Sequence, residues 1–364
     1  MCLWCTIDYC RSSSVPVADE WRPLFARADV LLGFVQQFDA LGSLAPRLRW
    51  VHHYGAGYEE VRLEELAAAG IGFVSAAGVG ATGIAGHVLL AVLSLARRAP
   101  ERLRSQQEHR WRRFPTSELA GRRLTVVGVG EIGARVCRLG AAFELEVTCV
   151  RLHPELGPPP GATTAVGPGA LGTVLGGTDV LVLAAPLTER TDRMIDAGAL
   201  AALPEGALVV NVARAGLVDH QALAAALTAG RLGGAWLDVL PEEPLPAAST
   251  LWDVPRLAIS CHDAVASATY PTNLARRLGA AVTDWLAGRP VAHVVLDVPP
   301  APAPSPAPAR TAPPAPAPSP APARTAPPAP APSPAPAPSP APARTGPVAR
   351  TGPHRTTRTA GRVR

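Results

Sequence analysis

The chain has 364 residues and a formal net charge of +5, but residues 299–364 carry 23 of its 41 prolines, eight of its 34 basic residues and no acidic residue. Without those eight, 26 arginines face 29 Asp plus Glu, a net −3, so the basic balance belongs to the tail and does not argue for a nucleic-acid groove elsewhere. Every basic residue is arginine, which excludes Schiff-base and P-loop lysine chemistry.

The run PPAPAPSPAPARTA fills 299–312, repeats unchanged at 313–326 and returns with an insertion from 327. Proline removes backbone donors, and alternating Ala and Pro offers little to bury, so 299–364 is expected to be a disordered, polyproline-like tail, either solvated or read by an anionic partner or a proline-binding module, its partner unknown. The apolar run around Val88–Ala96 is too short to cross a bilayer, and the opening MCLWCTIDYC lacks signal-peptide architecture. Cys2, Cys5 and Cys10 have no second ligand pair at zinc spacing. No metal, no membrane and a reduced cytoplasmic setting are expected.

In chain order, Asp29–Phe34 and Trp50–His52 read as short strands alternating with helical stretches such as Glu59–Ala69, a smaller α/β unit. Ile84–Arg97 has the length of a linking helix. Leu124–Val129 then opens a series of apolar strands, continued by Glu146–Val150, Asp179–Leu183, Ala207–Val212, Gly234–Leu237 and Leu257–Ser260. Buried strands alternating with helices predict a parallel sheet covered on both faces. Tyr270–Gly288 reads as an amphipathic helix crossing back to the first unit. The expected organisation is 1–88 completed by 268–298, a dinucleotide-binding domain over 89–267, and the tail from 299.

Gly128-Val-Gly130-Glu131-Ile132-Gly133 stands between a strand and a helix, with a second strand following. In that context Gly128 permits the turn, Gly130 lets backbone approach a pyrophosphate, Gly133 allows close packing, and the helix N-terminus supplies amide donors. This is the Rossmann, doubly wound arrangement. A carboxylate ending the second strand would bind the ribose hydroxyls of NAD; here Arg151 ends it, and a guanidinium can pair with a 2′-phosphate. The expected cofactor is NADP or NAD, with NADP favoured.

Ligands of such sheets sit beyond the carboxyl ends of the strands. Arg214, Asp238 and His262 all follow strands, and Glu243 lies a turn beyond Asp238. The runs Asn211–Asp219 (NVARAGLVD), Gly234–Pro246 (GAWLDVLPEEPLP), Leu251–Asp253 and Ser260–His262 together resemble the NAD(P)-dependent D-2-hydroxyacid dehydrogenases, whose members act on glyoxylate, hydroxypyruvate, D-lactate and 3-phosphoglycerate. The likeness covers most of 29–290. Leu48–Gly57 (LRWVHHYGAG) looks like that family's substrate loop and Ala185–Thr191 (APLTERT) like its turn over the cofactor.

The resemblance implies a flavodoxin-like α/β substrate domain beside the Rossmann domain, and a homodimer with Glu101–Ser117 in the contact. It implies that Arg214 binds the carboxylate and carbonyl oxygen of a small 2-oxo acid, that His262 is the acid/base and that Glu243 is its partner. Guanidinium grips a planar carboxylate at two points, and negative charge built on the carbonyl oxygen needs a cation and a proton donor. Tyr54, Gly55, Ala56 and Gly57 would hold the substrate with Arg214. Glu131, Ile132, Pro186, Thr191, Val212, Ala213, Asp238 and His262 would join the glycines, Arg151 and Arg214 around the cofactor.

Four stretches depart from the pattern. Cys261 replaces the usual Pro, Asp263-Ala-Val follows His262, Gly86 replaces a Glu, and Ala215 replaces a Gly. The family also places another β-α-β segment before DVLLGF, where only 28 residues precede Asp29, so a trimmed substrate domain or a misassigned start is expected. A second reading is a cofactor-binding scaffold: some relatives act as nucleotide-sensing corepressors with a similar tail.

Overall fold

The computed structural model describes residues 22–33 and 41–301. The expectations for the opening cysteines, for Phe34 and for the repeats beyond residue 301 lie outside these described residues.

Two sheets organise the described chain. It begins with α1 (Arg22–Phe25), β1 (Val30–Gly33), α2 (Leu41–Leu44), β2 (Trp50–His53), α3 (Leu63–Ala68) and β3 (Gly72–Val74), then α4 (Ala81–Ala96) and α5 (Ala99–Gln107). Next come β4 (Arg123–Val127), α6 (Glu131–Ala142), β5 (Glu146–Val150), β6 (Thr164–Val166), α7 (Leu171–Leu175), β7 (Val180–Leu183), α8 (Ala197–Ala202) and β8 (Leu208–Asn211). The series closes with α9 (His220–Thr228), β9 (Gly234–Leu237), β10 (Leu257–Ile259), α10 (Tyr270–Leu286) and β11 (Val294–Leu296).

The larger sheet has the order β10-β9-β8-β7-β4-β5-β6 and is parallel throughout. Its apolar runs put side chains on both faces. Cys149, Val126, Val182, Val210 and Trp236 stand in one row across five strands, facing α4 and α6, while Val127, Leu181, Leu183, Val209 and Leu237 line the opposite face. Each fully buried Val or Leu contributes about 1.5–3 kcal/mol of burial. The chain reverses its direction of growth between β4 and β7, the switch point where such sheets open a ligand crevice.

The smaller sheet runs β1-β2-β3-β11, with only β11 antiparallel. α10 reaches back to it: Trp285 meets Trp50 edge-on at 6.0 Å, and its indole N–H donates to the Pro299 carbonyl at 2.6 Å. No helix among the described residues is long and apolar enough to cross a membrane.

Several elements differ from their expected extent. The helix expected over Glu59–Ala69 occupies only Leu63–Ala68, because 59–62 turn and the Glu59 side chain reaches across the molecule instead. β3, β6 and β11 were not expected as strands; each has three residues, too short to display a period of two.

β2 is buried along its whole length, including His52 and His53. Burial holds both imidazoles below the ordinary histidine value, outweighing the carbonyl hydrogen bonds that act the other way. The unfolded chain binds protons at these residues from about pH 6.5 downward. Stability is therefore fully present above that pH and falls as pH drops toward the depressed folded values. The urea midpoint is expected to fall between about pH 7.5 and about pH 5.5, and to fall less in His52→Gln. Equal falls in both proteins would remove His52 from the effect.

Candidate active site

Three strands of the larger sheet deliver the polar residues. β8 ends at Asn211, which is fully buried; its Nδ2 donates to the Arg214 carbonyl at 2.8 Å and its Oδ1 accepts from the Ala213 amide at 3.0 Å. That clasp shapes the turn carrying Val212, Ala213 and Arg214. The Arg214 guanidinium donates through Nη1 to the Ala213 carbonyl at 2.6 Å, which fixes its direction. Asp219, the end of the same run, accepts from the Ala222 amide at 3.0 Å and caps α9.

β9 delivers Asp238, only 2% exposed. Its Oδ1 accepts from Ser260 Oγ at 2.6 Å, from the Asp263 amide at 3.1 Å and from the Ala264 amide at 3.2 Å, and its Oδ2 also accepts from Ala264. Donors around a carboxylate offset the cost of burying it. Asp238 thus ties β9 to the loop after β10, and that loop carries His262. The His262 amide donates to the Asp238 carbonyl at 2.9 Å, and its backbone has φ 54°, a left-handed conformation uncommon for a side chain of this size.

His262 Nδ1 lies 2.8 Å from Glu243 Oε2, and Glu243 Oε1 accepts from the Leu240 amide at 2.9 Å. A carboxylate anchored on backbone therefore orients the imidazole. Glu243, not its neighbour Glu242, occupies this position. His87, Trp236 and Ser260 form an adjoining network: Trp236 Nε1 donates to Ser260 Oγ at 3.0 Å and to His87 Nε2 at 3.1 Å. His87, Asp238 and Asp263 place ligand-type atoms within 4.8 Å of one another. The Asp238 oxygens in that group are already engaged by the hydroxyl and amide donors.

β2 supplies the facing loop. His53 Nε2 lies 3.1 Å from the Gly57 carbonyl, an acceptor only, so the nitrogen carries the proton and pins the loop Tyr54–Gly57. Tyr270 OH donates to the Tyr54 carbonyl at 2.6 Å; burial pushes this phenol up to about 12 and so keeps it a donor.

Gly128 has φ 92°, and a Cβ there would lie 2.6 Å from the Ala185 backbone. Nothing lies within 4 Å of a Cβ built on Gly130, so the first turn of α6 faces open space where a pyrophosphate fits. Glu131 in that turn pairs with Arg135. Thr191 Oγ1 donates to the Pro186 carbonyl at 2.8 Å and accepts from the Thr188 amide at 2.8 Å, holding the turn after β7. Arg151 follows β5, its Nη1 donating to the Gly157 carbonyl at 2.8 Å. These residues fit a dinucleotide.

One open cleft of about 2620 Å³ joins the two sheets. Tyr54, Gly55, Ala56, Gly57, Ile132, Pro186, Val212, Ala213, Arg214, Asp238, Glu243 and His262 line it, whereas Gly128, Gly130, Glu131, Gly133, Arg151 and Thr191 do not lie on its wall. Glu59, absent from the sequence-based set, also lines it. Its Oε1 accepts from Arg214 Nε at 2.9 Å and its Oε2 from Arg214 Nη2 at 3.1 Å. The hint in the sequence was an acidic residue two positions beyond a Gly-x-Gly loop, but a partner 155 positions away leaves no local signal.

Residues 89–264 match the family model described as D-isomer specific 2-hydroxyacid dehydrogenase, NAD binding domain. Over 222 residues the chain is 34% identical to D-3-phosphoglycerate dehydrogenase of Mycobacterium tuberculosis, covering 60% of this chain and 42% of that protein. The chain thus spans less than half the length of these relatives. Over 262 residues it is 31% identical to glyoxylate reductase of Korarchaeum cryptofilum, covering 65% of this chain and 76% of the relative. A solved D-isomer specific 2-hydroxyacid dehydrogenase from Xanthobacter autotrophicus Py2, in complex with NADPH and MES, aligns with a TM-score of 0.63 at 30% identity, covering 73% of this chain and 83% of that one. The chain belongs to the D-isomer specific 2-hydroxyacid dehydrogenase family, and residues 89–264 are its NAD binding domain.

Proposed function

We propose that the chain is an oxidoreductase transferring hydride between NAD(P)H and a small 2-oxo acid, of glyoxylate or hydroxypyruvate type, to give the D-2-hydroxy acid. The observation that carries this reading is the presence of Arg214 and the Glu243–His262 pair in one cleft. Arg214 grips the substrate carboxylate and, with the loop Tyr54–Gly57, holds the carbonyl carbon toward the cofactor side. The nicotinamide, when bound, supplies the hydride. With Nδ1 held by Glu243, His262 presents Nε2 to the carbonyl oxygen and gives it a proton as negative charge builds there. Arg214 stabilises the same charge. In the oxidative direction His262 Nε2 receives the hydroxyl proton.

The test is a panel of 2-oxo acids with NADPH and NADH, following cofactor oxidation by the full-length chain. Turnover with at least one acid is expected. Cofactor binding without turnover on any of them would favour the scaffold reading.

NADP is the cofactor we favour, since Arg151 keeps Nη2 and Nε beyond its bond to Gly157. Arg151→Asp is expected to shift the ratio of kcat/KM for NADPH over NADH at least about tenfold toward NADH, because a carboxylate repels the 2′-phosphate. An unchanged ratio would refute the assignment. The division into a substrate domain of 1–88 with 268–298 and a cofactor domain of 89–267 belongs to the same proposal, as does a cytoplasmic location. So does a homodimer through Glu101–Ser117, a reading supported by the 99% exposure of Trp111 and the 59% exposure of Leu103 in that segment.

A further inference from the structure

The Glu59 carboxylate meets Arg214 side-on, two oxygens against Nε and Nη2 at 2.9 and 3.1 Å. This is the fork geometry with which a guanidinium holds any carboxylate. Gly57 lies against the same fork: a Cβ there would run into the Arg214 guanidinium and come within 2.9 Å of Glu59 Oε2. Burial alone would push the Glu59 carboxyl up, but the hydrogen bond and charge of Arg214, helped by the amides of Glu59 and Tyr58, hold it below the usual carboxylate range. Glu59 is therefore ionised at neutral pH, gripped by an arginine and by loop amides. The arginine is the group assigned above to the substrate's own carboxylate, and the amides, of Tyr58 and Glu59, directly follow the loop Tyr54–Gly57.

The donors of Arg214 are largely committed. Nε and Nη2 serve Glu59, and one Nη1 hydrogen serves the Ala213 carbonyl. Of five donor hydrogens, one on each terminal nitrogen remains. The side-on edge becomes available only when Glu59 leaves it. Glu59 is half exposed and sits on the turn before α3, so it can swing into water at modest cost.

We propose that Glu59 is a specificity-determining residue: an internal carboxylate that occupies the substrate-binding edge of Arg214, which only an incoming carboxylate of matching planar geometry displaces. Binding is then an exchange of one carboxylate for another. A ligand lacking a carboxylate gains nothing from the side-on edge of Arg214, and the affinity of every 2-oxo acid is lowered by the competition. Glu59 belongs to the loop after β2 and Arg214 to the turn after β8, so the pair also bridges the cleft between the sheets.

The inference rests on the proposed role of Arg214, and the test separates the two. Oxalate, a planar carboxylate, is titrated calorimetrically into the full-length chain saturated with NADPH, in the parent, Glu59→Gln and Glu59→Asp. KM and kcat for glyoxylate are measured in parallel. Glu59→Gln is expected to tighten oxalate about three- to tenfold and to lower KM by a similar factor. Glu59→Asp, with a shorter reach, falls between, and serves if the glutamine variant folds poorly. A residue that merely steadied Arg214 would act oppositely, so weaker oxalate binding or a raised KM overturns the inference, as does no change. If the parent turns over 2-oxo acids while Glu59→Gln binds oxalate no more tightly, the inference falls and the proposed reaction stands. If no acid is turned over yet Glu59→Gln tightens oxalate, the reaction falls and the competition at Arg214 stands. Oxalate bound by none of the three proteins overturns the inference together with the reading of Arg214.

Discussion

Replacing His262 by alanine is expected to lower kcat for the preferred 2-oxo acid by about 10²–10⁴-fold while NADPH still binds. The size follows from what the imidazole is placed to do. Glu243 Oε2 holds Nδ1 at 2.8 Å, and the Leu240 amide holds Glu243. One ring nitrogen is thus fixed and the other is left for proton transfer. Alanine removes the donor but leaves the glycine loop before α6 and the turn held by Thr191, the residues proposed to hold the cofactor. Glu243→Gln, which keeps a hydrogen-bond acceptor but removes the charge, is expected to cost less than His262→Ala. A His262→Ala protein that retained kcat within about tenfold of the parent would take His262 out of the reaction.

Arg214→Lys is expected to lower kcat/KM by about 10²-fold or more, although the charge is conserved. Lysine is a point charge on a flexible stem. It cannot present paired donors to a planar carboxylate while also stabilising the carbonyl oxygen. The substitution also loses the bond from Nη1 to the Ala213 carbonyl that aims the side chain. The loss is expected in both kcat and KM, since the guanidinium touches the ground-state carboxylate and the charge that develops later. An Arg214→Lys protein with parental kcat/KM would mean that charge alone suffices and that the fork geometry has no part in the reaction.

Much of this was legible in the residues. The order strand, Gly128-x-Gly130-x-x-Gly133, helix is the order the structure has, with β4 before the glycines and α6 beginning among them. The strand-end positions of Arg214, Asp238 and His262 follow from apolar runs that terminate in polar residues, and a parallel sheet collects such ends along one edge. What escaped was whatever depends on a distant partner. Glu59 read as part of a helix because its neighbours fit that period, yet its carboxylate pairs with a residue 155 positions away. Asp238 reads from the sequence as one of the residues around the cofactor. Its oxygens accept from Ser260, Asp263 and Ala264, a role visible only once β9 and β10 lie side by side. β3, β6 and β11 are too short to carry a pattern and exist through pairing with longer neighbours.

Cys261 precedes His262 where the family usually has proline, and Asp263-Ala-Val follows where a glycine-containing turn is usual. The clasp of Asp238 on the amides of Asp263 and Ala264 accounts for how this altered loop still aims His262 at Glu243. The donors are backbone amides, so the clasp tolerates a change of side chains.

The most direct measurement of the central claim is isotopic. The full-length chain is incubated with NADPH deuterated at the nicotinamide C4 position and with hydroxypyruvate, and the product is analysed for label and configuration. Deuterium at C2 of D-glycerate, formed about 10²–10⁴-fold more slowly with His262→Ala, is the predicted result. No labelled hydroxy acid from hydroxypyruvate or from any other 2-oxo acid, with NADPH demonstrably bound, would contradict the account.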